Sequence, residues 1–197
     1  MENIFTIFQR NRNYQVCGVR ITIDATFKLL IIGETQVGKT ELLRRFIGHN
    51  FDETVQRLMG VNLSIRHITY DEKRILLQIW DLAGSSQFEF LLPTYARGCS
   101  GAILMYDITN ENSILKLKEF YQLFENAVKN ISPFPIVVVV GSKLDLEEKR
   151  EVSQNRAIEV FSTSRIFDFL ECSSKTGMNV DKIFNILLKG ITERLNI

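Results

Sequence analysis

The octapeptide Gly33-Glu34-Thr35-Gln36-Val37-Gly38-Lys39-Thr40 places two glycines, a lysine and a hydroxyl at the G-x-x-x-x-G-K-[ST] spacing of a phosphate-binding loop. An apolar run, Phe27-Lys28-Leu29-Leu30-Ile31-Ile32, precedes it. An amphipathic segment with Leu42, Leu43, Phe46 and Ile47 follows. Strand, loop and helix are therefore in the order that the chemistry needs. Gly33 permits a sharp departure from the strand, and Gly38 lets backbone come close to a phosphate. Successive N–H groups form a nest for phosphate oxygens, backed by the positive end of the helix. Lys39 adds charge at the outer phosphates, and the Thr40 hydroxyl can ligate Mg²⁺. The nucleotide-binding set from this loop is Gly33, Glu34, Thr35, Gln36, Val37, Gly38, Lys39, Thr40 and Glu41.

Three further groupings follow apolar runs. Asp81-Leu82-Ala83-Gly84 comes directly after Trp80. Asp81 there can hold the Mg²⁺ hydration shell with Thr40, and a Gly84 N–H can meet a γ-phosphate. Ser142-Lys143-Leu144-Asp145-Leu146 follows the run Ile136–Val140. The Asp145 carboxylate can accept the ring N–H and the exocyclic amine of guanine, a bidentate contact that adenine lacks. Leaving that carboxylate unpaired costs a few kcal/mol, so such a site rejects ATP. The Lys143 stem can lie along the base plane. Ser173-Ser174-Lys175 follows a last apolar run, where a Ser174 N–H can meet the guanine carbonyl.

The elements that must position these groups alternate between strand and helix patterns, which predicts a mostly parallel sheet covered on both faces. Strands are expected at about 27–32, 61–69, 75–80, 102–106, 136–140 and 166–170, with helices at about 38–48, 111–130 and 179–195. Phosphate ligands in such sheets sit beyond the carboxyl ends of strands, where all four groupings fall.

Composition sets outer limits. The chain has 197 residues, 45% hydrophobic and 24% charged, which suits one globular domain of ordinary size. A net charge of +1 gives no footprint for nucleic acid or an anionic membrane. Cys17, Cys99 and Cys172 lack metal-ligand spacing and read as reduced thiols, so a cytoplasmic location is expected. No apolar run spans a bilayer, no signal peptide is evident, and neither end carries a lipid-anchor motif.

Residues 27 to 195 resemble the Ras-superfamily small GTPases, most closely the Rab branch. Leu77-Gln78-Ile79-Trp80-Asp81-Leu82-Ala83-Gly84 is similar to LQIWDTAG of that branch; Tyr95-Ala96-Arg97-Gly98 to YYRG; Tyr106-Asp107-Ile108-Thr109 to YDIT. The resemblance implies a three-layer P-loop fold with a six-stranded sheet and about five helices. It also implies a GTP–GDP switch with Mg²⁺, and effectors, GAPs or exchange factors that dock on residues 50–65 and 81–97. Lys39, Gly84 and Ser85 then occupy the positions around the reacting phosphate. An adenylate-type P-loop kinase or ATPase is disfavoured by Ser142-Lys143-Leu144-Asp145.

Three positions depart from the family pattern. Leu58, eighteen residues after Thr40, stands where the family carries the threonine that binds Mg²⁺. Leucine cannot ligate Mg²⁺, and Thr54 is poorly placed to replace it. Ser85 replaces the glutamine that orients the attacking water, and Gln87 lies two residues on. Ser142 replaces an asparagine, where some members carry threonine. A guanine-nucleotide switch with slow or partner-assisted hydrolysis is expected; a non-hydrolysing, nucleotide-bound scaffold is the alternative.

Residues 1–26 precede the family's core. Ile4, Phe5, Ile7 and Phe8 form a short apolar group that suits packing better than membrane anchoring. Val16 to Asp24 has strand character. Because the family's strand order buries the Phe27 strand mid-sheet, this segment must pair elsewhere, and the outer edge of the 61–80 hairpin offers one route to self-association. The expected division is an N-terminal extension at 1–26 and a GTPase domain at 27–197.

Overall fold

The computed structural model describes the backbone of residues 12–16, 19–48, 56–58, 60–84 and 86–197. In chain order the elements are β1 (Arg12–Val16), β2 (Val19–Ile23), β3 (Ala25–Ile32), α1 (Lys39–Ile47), β4 (Gln56–Leu58), β5 (Val61–Tyr70), β6 (Lys73–Leu82), α2 (Leu92–Ala96), β7 (Gly101–Asp107), α3 (Glu111–Val128), β8 (Ile136–Ser142), α4 (Gln154–Val160), β9 (Asp168–Glu171) and α5 (Val180–Leu195). Two 3₁₀ segments, Ser86–Leu91 and Leu144–Lys149, complete them.

The main sheet runs β4-β5-β6-β3-β7-β8-β9. From β6 to β9 all neighbours are parallel; β5 is antiparallel to both β4 and β6. The six expected strands are all present. The short β4 adds a seventh at one edge, and five α-helices are found among the described residues.

Parallel strands need crossovers, so helices cover both faces. One face packs on α1 and α5, where the Phe46 and Phe184 rings stack with centroids 3.5 Å apart. The other packs on α2, α3 and α4 around Leu104, Tyr106, Phe120, Phe124 and Phe161. The helix at α3 obeys its apolar spacing: Ile114, Leu117, Tyr121, Phe124 and Val128 are buried on one stripe. Asn110 caps it by accepting the Asn112 N–H at 3.0 Å.

The segment ahead of β3 has the expected strand character, and its partner lies upstream. β2 pairs with β1 in an antiparallel hairpin, with Arg12 opposite Ile23 and Val16 opposite Val19. At the base of β3, the Asp24 N–H donates to the Arg74 carbonyl and the Arg74 N–H to the Asp24 carboxylate, at 2.9 and 2.8 Å. The hairpin is thereby tied to the start of β6. The apolar group at residues 4–8, Cys17, His49, Thr54 and Ser85 lie outside the described residues.

Candidate functional site

The phosphate loop leaves the carboxyl end of β3 between β6 and β7, the two strands that flank β3. Its curvature comes from left-handed backbone at Gln36 (φ 66°) and at Gly38 (φ 95°), which is the N-cap of α1. Alternating handedness turns consecutive N–H groups inward, the nest geometry that suits an anion. Gly33 and Gly84 are fixed by crowding. A Cβ on Gly33 would lie 2.4 Å from the Met105 carbonyl oxygen, and one on Gly84 would lie 2.2 Å from the Gly33 oxygen. The Gly84 backbone therefore rests on the loop itself.

Lys39 is buried, and its ammonium donates to the carbonyls of Gly33 at 2.9 Å and Glu34 at 2.7 Å. Burial lowers its pKa to about 8, while the Asp81 and Glu34 carboxylates pull it back up. A phosphate in the nest would supply the counter-charge that the burial calls for. The Thr40 hydroxyl donates to Asp81 Oδ2 at 2.7 Å. Asp81, at the end of β6 and paired with Ile31 in register, is itself buried. A hydroxyl and a buried carboxylate at the lip of an anion nest form the oxygen donor set that Mg²⁺ takes alongside phosphate oxygens and water. The residues present thus fit a Mg²⁺–nucleotide. Glu34 is half-buried, Thr35 and Gln36 are exposed at the rim, and Glu41 is turned outward onto Arg44.

The second half of the site lies at the ends of β8 and β9. The Ser142 hydroxyl oxygen is buried 2.6 Å from the Val37 carbonyl and 2.8 Å from the Tyr106 carbonyl. It therefore links the phosphate loop to this half. Lys143 adopts left-handed backbone (φ 64°), and its ammonium pairs with Asp107 Oδ2 at 2.5 Å. Asp107 also accepts the Thr109 N–H and hydroxyl, at 2.9 and 2.8 Å. This anchors the tip of the Lys143 side chain and stretches its stem along the site.

Asp145 Oδ1 accepts the Ser173 hydroxyl at 2.6 Å, and the Lys175 ammonium stands 3.9 Å from Oδ2. Ser173 in turn accepts the Thr176 N–H at 3.1 Å. The two loops are stitched by the Leu144 N–H to the Cys172 carbonyl at 2.9 Å and the Cys172 N–H to the Gly141 carbonyl at 2.8 Å. Leu146, held by its N–H on the Lys143 carbonyl at 2.8 Å, and Ser174 are half-buried beside them. A carboxylate so oriented offers paired acceptors to a ring with adjacent N–H donors, as guanine has.

The structure thus gathers the loop, Asp81 and Gly84 at one end, and residues 142–146 and 173–175 at the other. Ser85 lies outside the described residues. Leu58 is described in its main chain alone, where it closes β4 opposite Val61.

Two supports were not foreseen. Asp107 anchors Lys143, as given above. Arg150 holds both Glu171 carboxylate oxygens, at 2.7 and 2.8 Å, and fastens the Leu144–Lys149 turn to the end of β9. Asp107 has a sequence signal, an acid at a strand's carboxyl end; the Arg150–Glu171 pair has none.

A sequence model of the Ras family matches residues 28–193. Among characterised proteins, Ras-related protein Rab-8B of Bos taurus is 40% identical over 176 residues, covering 89% of this chain and 83% of that one. Rab-8B of Homo sapiens is 39% identical over the same span. Ras-related protein Rab-13 of Mesocricetus auratus is 39% identical over 169 residues, covering 85% of this chain and 81% of its own.

Proposed function

The chain belongs to the Ras family, in its Rab branch, and from that premise we propose that it is a guanine-nucleotide switch whose GTP hydrolysis is slow unless a partner completes the site. The observation that carries this is the Thr40–Asp81 hydrogen bond of 2.7 Å beside the buried Lys39. These two oxygen groups would hold a Mg²⁺ beside a nucleotide's phosphates, where it would neutralise phosphate charge. Lys39, Thr40 and Asp81 hold the Mg²⁺–phosphate end; Lys143, Asp145, Ser173 and Ser174 select guanine.

The slow rate follows from what is missing. Ser85 is too short to orient a water as glutamine does, and Leu58 offers no oxygen to the metal. Lys39 and the loop N–H groups still stabilise charge on the transferred phosphoryl group. The step left uncatalysed is therefore the positioning of water, which a GAP residue supplied in trans can restore. Effectors, GAPs and exchange factors would read residues 50–65 and 81–97. No helix among the described residues is long and apolar enough to cross a membrane.

A second reading, a non-hydrolysing scaffold that keeps one nucleotide, is favoured by β4. There Leu58 is taken into a ladder with Val61 at the sheet edge. A segment already held as a strand has less to gain from closing on a γ-phosphate.

The deciding experiment is to denature the freshly purified protein and identify the nucleotide released. GDP supports a working switch. GTP retained after hours with Mg²⁺ supports the scaffold. A preparation that neither carries nor binds guanine nucleotide overturns both.

A further inference from the structure

Two concavities meet at the end of the sheet away from the phosphate loop, where β7 and β8 begin and α5 ends. The inner is a cavity of about 230 Å³, walled chiefly by apolar groups from Cys99, Ile131, Ile191 and Leu195. The outer is a groove of about 540 Å³ that reaches Arg165, Ile166 and Phe167. Phe134, Ile136 and Arg194 line both, so the two adjoin at Phe134.

The cavity calls for a ring with a polar substituent. An apolar cavity of about 150 Å³ accommodates a benzene, so this one has room for a phenyl ring and a short chain. Ser100 also lines it, and the Ser100 hydroxyl oxygen is buried without a hydrogen-bond partner. A buried hydroxyl costs stability until a polar atom meets it, so the ring must carry one.

The groove supplies charge. Arg165 lays its guanidinium over the Phe134 ring, 5.1 Å from the centroid, and Arg194 donates to the Phe134 carbonyl. Both residues are exposed, and among the described residues neither is in an ion pair. Two guanidiniums held on one residue, with no carboxylate between them, suit an incoming one. A hydrocarbon alone would leave Ser100 and both arginines unmet. An inorganic anion alone would leave the apolar walls empty.

We infer that the base of the domain is a binding site for a small hydroxyaryl carboxylate. The ring lies in the cavity, its hydroxyl meets Ser100, and its carboxylate reaches Arg165 and Arg194 across Phe134. The site is separate from the phosphate loop and the guanine loops, at the opposite ends of the same strands.

The test titrates para-hydroxyphenylpropanoate into the full chain as purified, with the isoleucine methyl groups observed by NMR. Saturable shifts are expected at Ile131, Ile136 and Ile191, with a Kd at or below about 1 mM. The corresponding amide, which has no charge, should bind at least about threefold more weakly. Arg194→Gln should weaken binding of the acid and leave that of the amide unchanged. Ser100→Ala should cost the hydroxy acid roughly two- to tenfold and spare phenylpropanoate, which has no hydroxyl to offer. No saturable shift, shifts confined to other isoleucines, or an amide as tight as the acid would each overturn the proposal. So would an Arg194→Gln that binds the acid as the parent does, or equal losses for the two acids in Ser100→Ala.

Discussion

The Ser142 hydroxyl oxygen stands 2.6 Å from the carbonyl oxygen of Val37, a residue 105 positions earlier. A short side chain at the end of β8 thus fastens the back of the phosphate loop, and the same oxygen lies 2.8 Å from the Tyr106 carbonyl on β7. The hydroxyl has one proton, so it donates to one carbonyl at a time. The contact joins the half of the site that meets phosphate to the half that meets the base. A family position that ordinarily carries asparagine is served here by a smaller group.

Removing that hydroxyl should loosen the nucleotide at both ends. Ser142→Ala leaves a buried carbonyl unpartnered, a loss of about 1–3 kcal/mol. With the loss falling on the loaded state, GDP dissociates roughly five to a hundred and fifty times faster. Ser142→Thr keeps the hydroxyl and should stay close to the parent. Release of a fluorescent GDP analogue, measured for the three proteins, checks this; equal rates for Ser142→Ala and parent would deny the coupling.

Base selection should rest on Asp145. Ser173 holds one of its oxygens at 2.6 Å, so the carboxylate is oriented before any ligand arrives. Asp145→Ala removes both acceptors while leaving the phosphate loop intact. Affinity for GDP should fall by roughly a hundredfold or more, and the preference for GDP over ADP should collapse. Competition binding measures both. A retained preference would move guanine selection to the residue 173–175 loop.

Hydrolysis should respond to the position that the sequence leaves short. Ser85→Gln supplies a side chain able to orient water, and single-turnover hydrolysis of GTP should rise at least about tenfold. Leu58→Thr supplies a metal ligand and should raise affinity for a non-hydrolysable GTP analogue relative to GDP. No change in either variant would show that the rest of residues 50–65 and 81–97, and not these two residues, limits the chemistry.

The parts of this molecule that were legible in the sequence share a physical cause. Each apolar run that became a central strand is buried on both faces, so Ile136–Val140 or Leu29–Ile32 had no other use. The α3 and α5 stripes follow the helical period for the same reason. What was not legible is held by geometry instead of pattern. Gln56–Leu58 is a strand because a neighbour offers a ladder, and three residues are too few for a pattern; the alternation in Arg12–Val16 is confined to Asn13-Tyr14-Gln15-Val16, too short to stand out. Short α4, between Ser153 and Phe161, carries only Ala157 fully buried and gave too weak a stripe. In the site, the phosphate and guanine groups could be read from spacing. The Ser142–Val37 and Lys143–Asp107 contacts could not, because both join residues that only the parallel register brings together.

Lys28 carries the last prediction, on stability against pH. It is a lysine in the middle of β3 with 2% of its surface exposed, set over the Trp80 ring at 4.8 Å and donating to the Arg97 carbonyl at 3.1 Å. Burial lowers its pKa from 10.5 to about 8, with a smaller opposing pull from Cys99, whose own thiol burial pushes up to about 12. Below pH 8 the lysine is protonated in folded and unfolded chains alike, and the folded chain bears the whole cost of burying the charge. Between pH 8 and 10.5 the folded chain gives up the proton while the unfolded chain keeps it. Stability then rises with pH, because the unfolded state binds more protons. Lys28→Met has no proton to lose there, so the parent should gain on the variant by about 1–3 kcal/mol from pH 7.5 to pH 10. Urea unfolding of both proteins at the two pH values, saturated with Mg²⁺ and GDP so that Lys39 stays charged, reads this difference. A gap that does not move with pH would mean that Lys28 is deprotonated at neutral pH or is solvated in the fold.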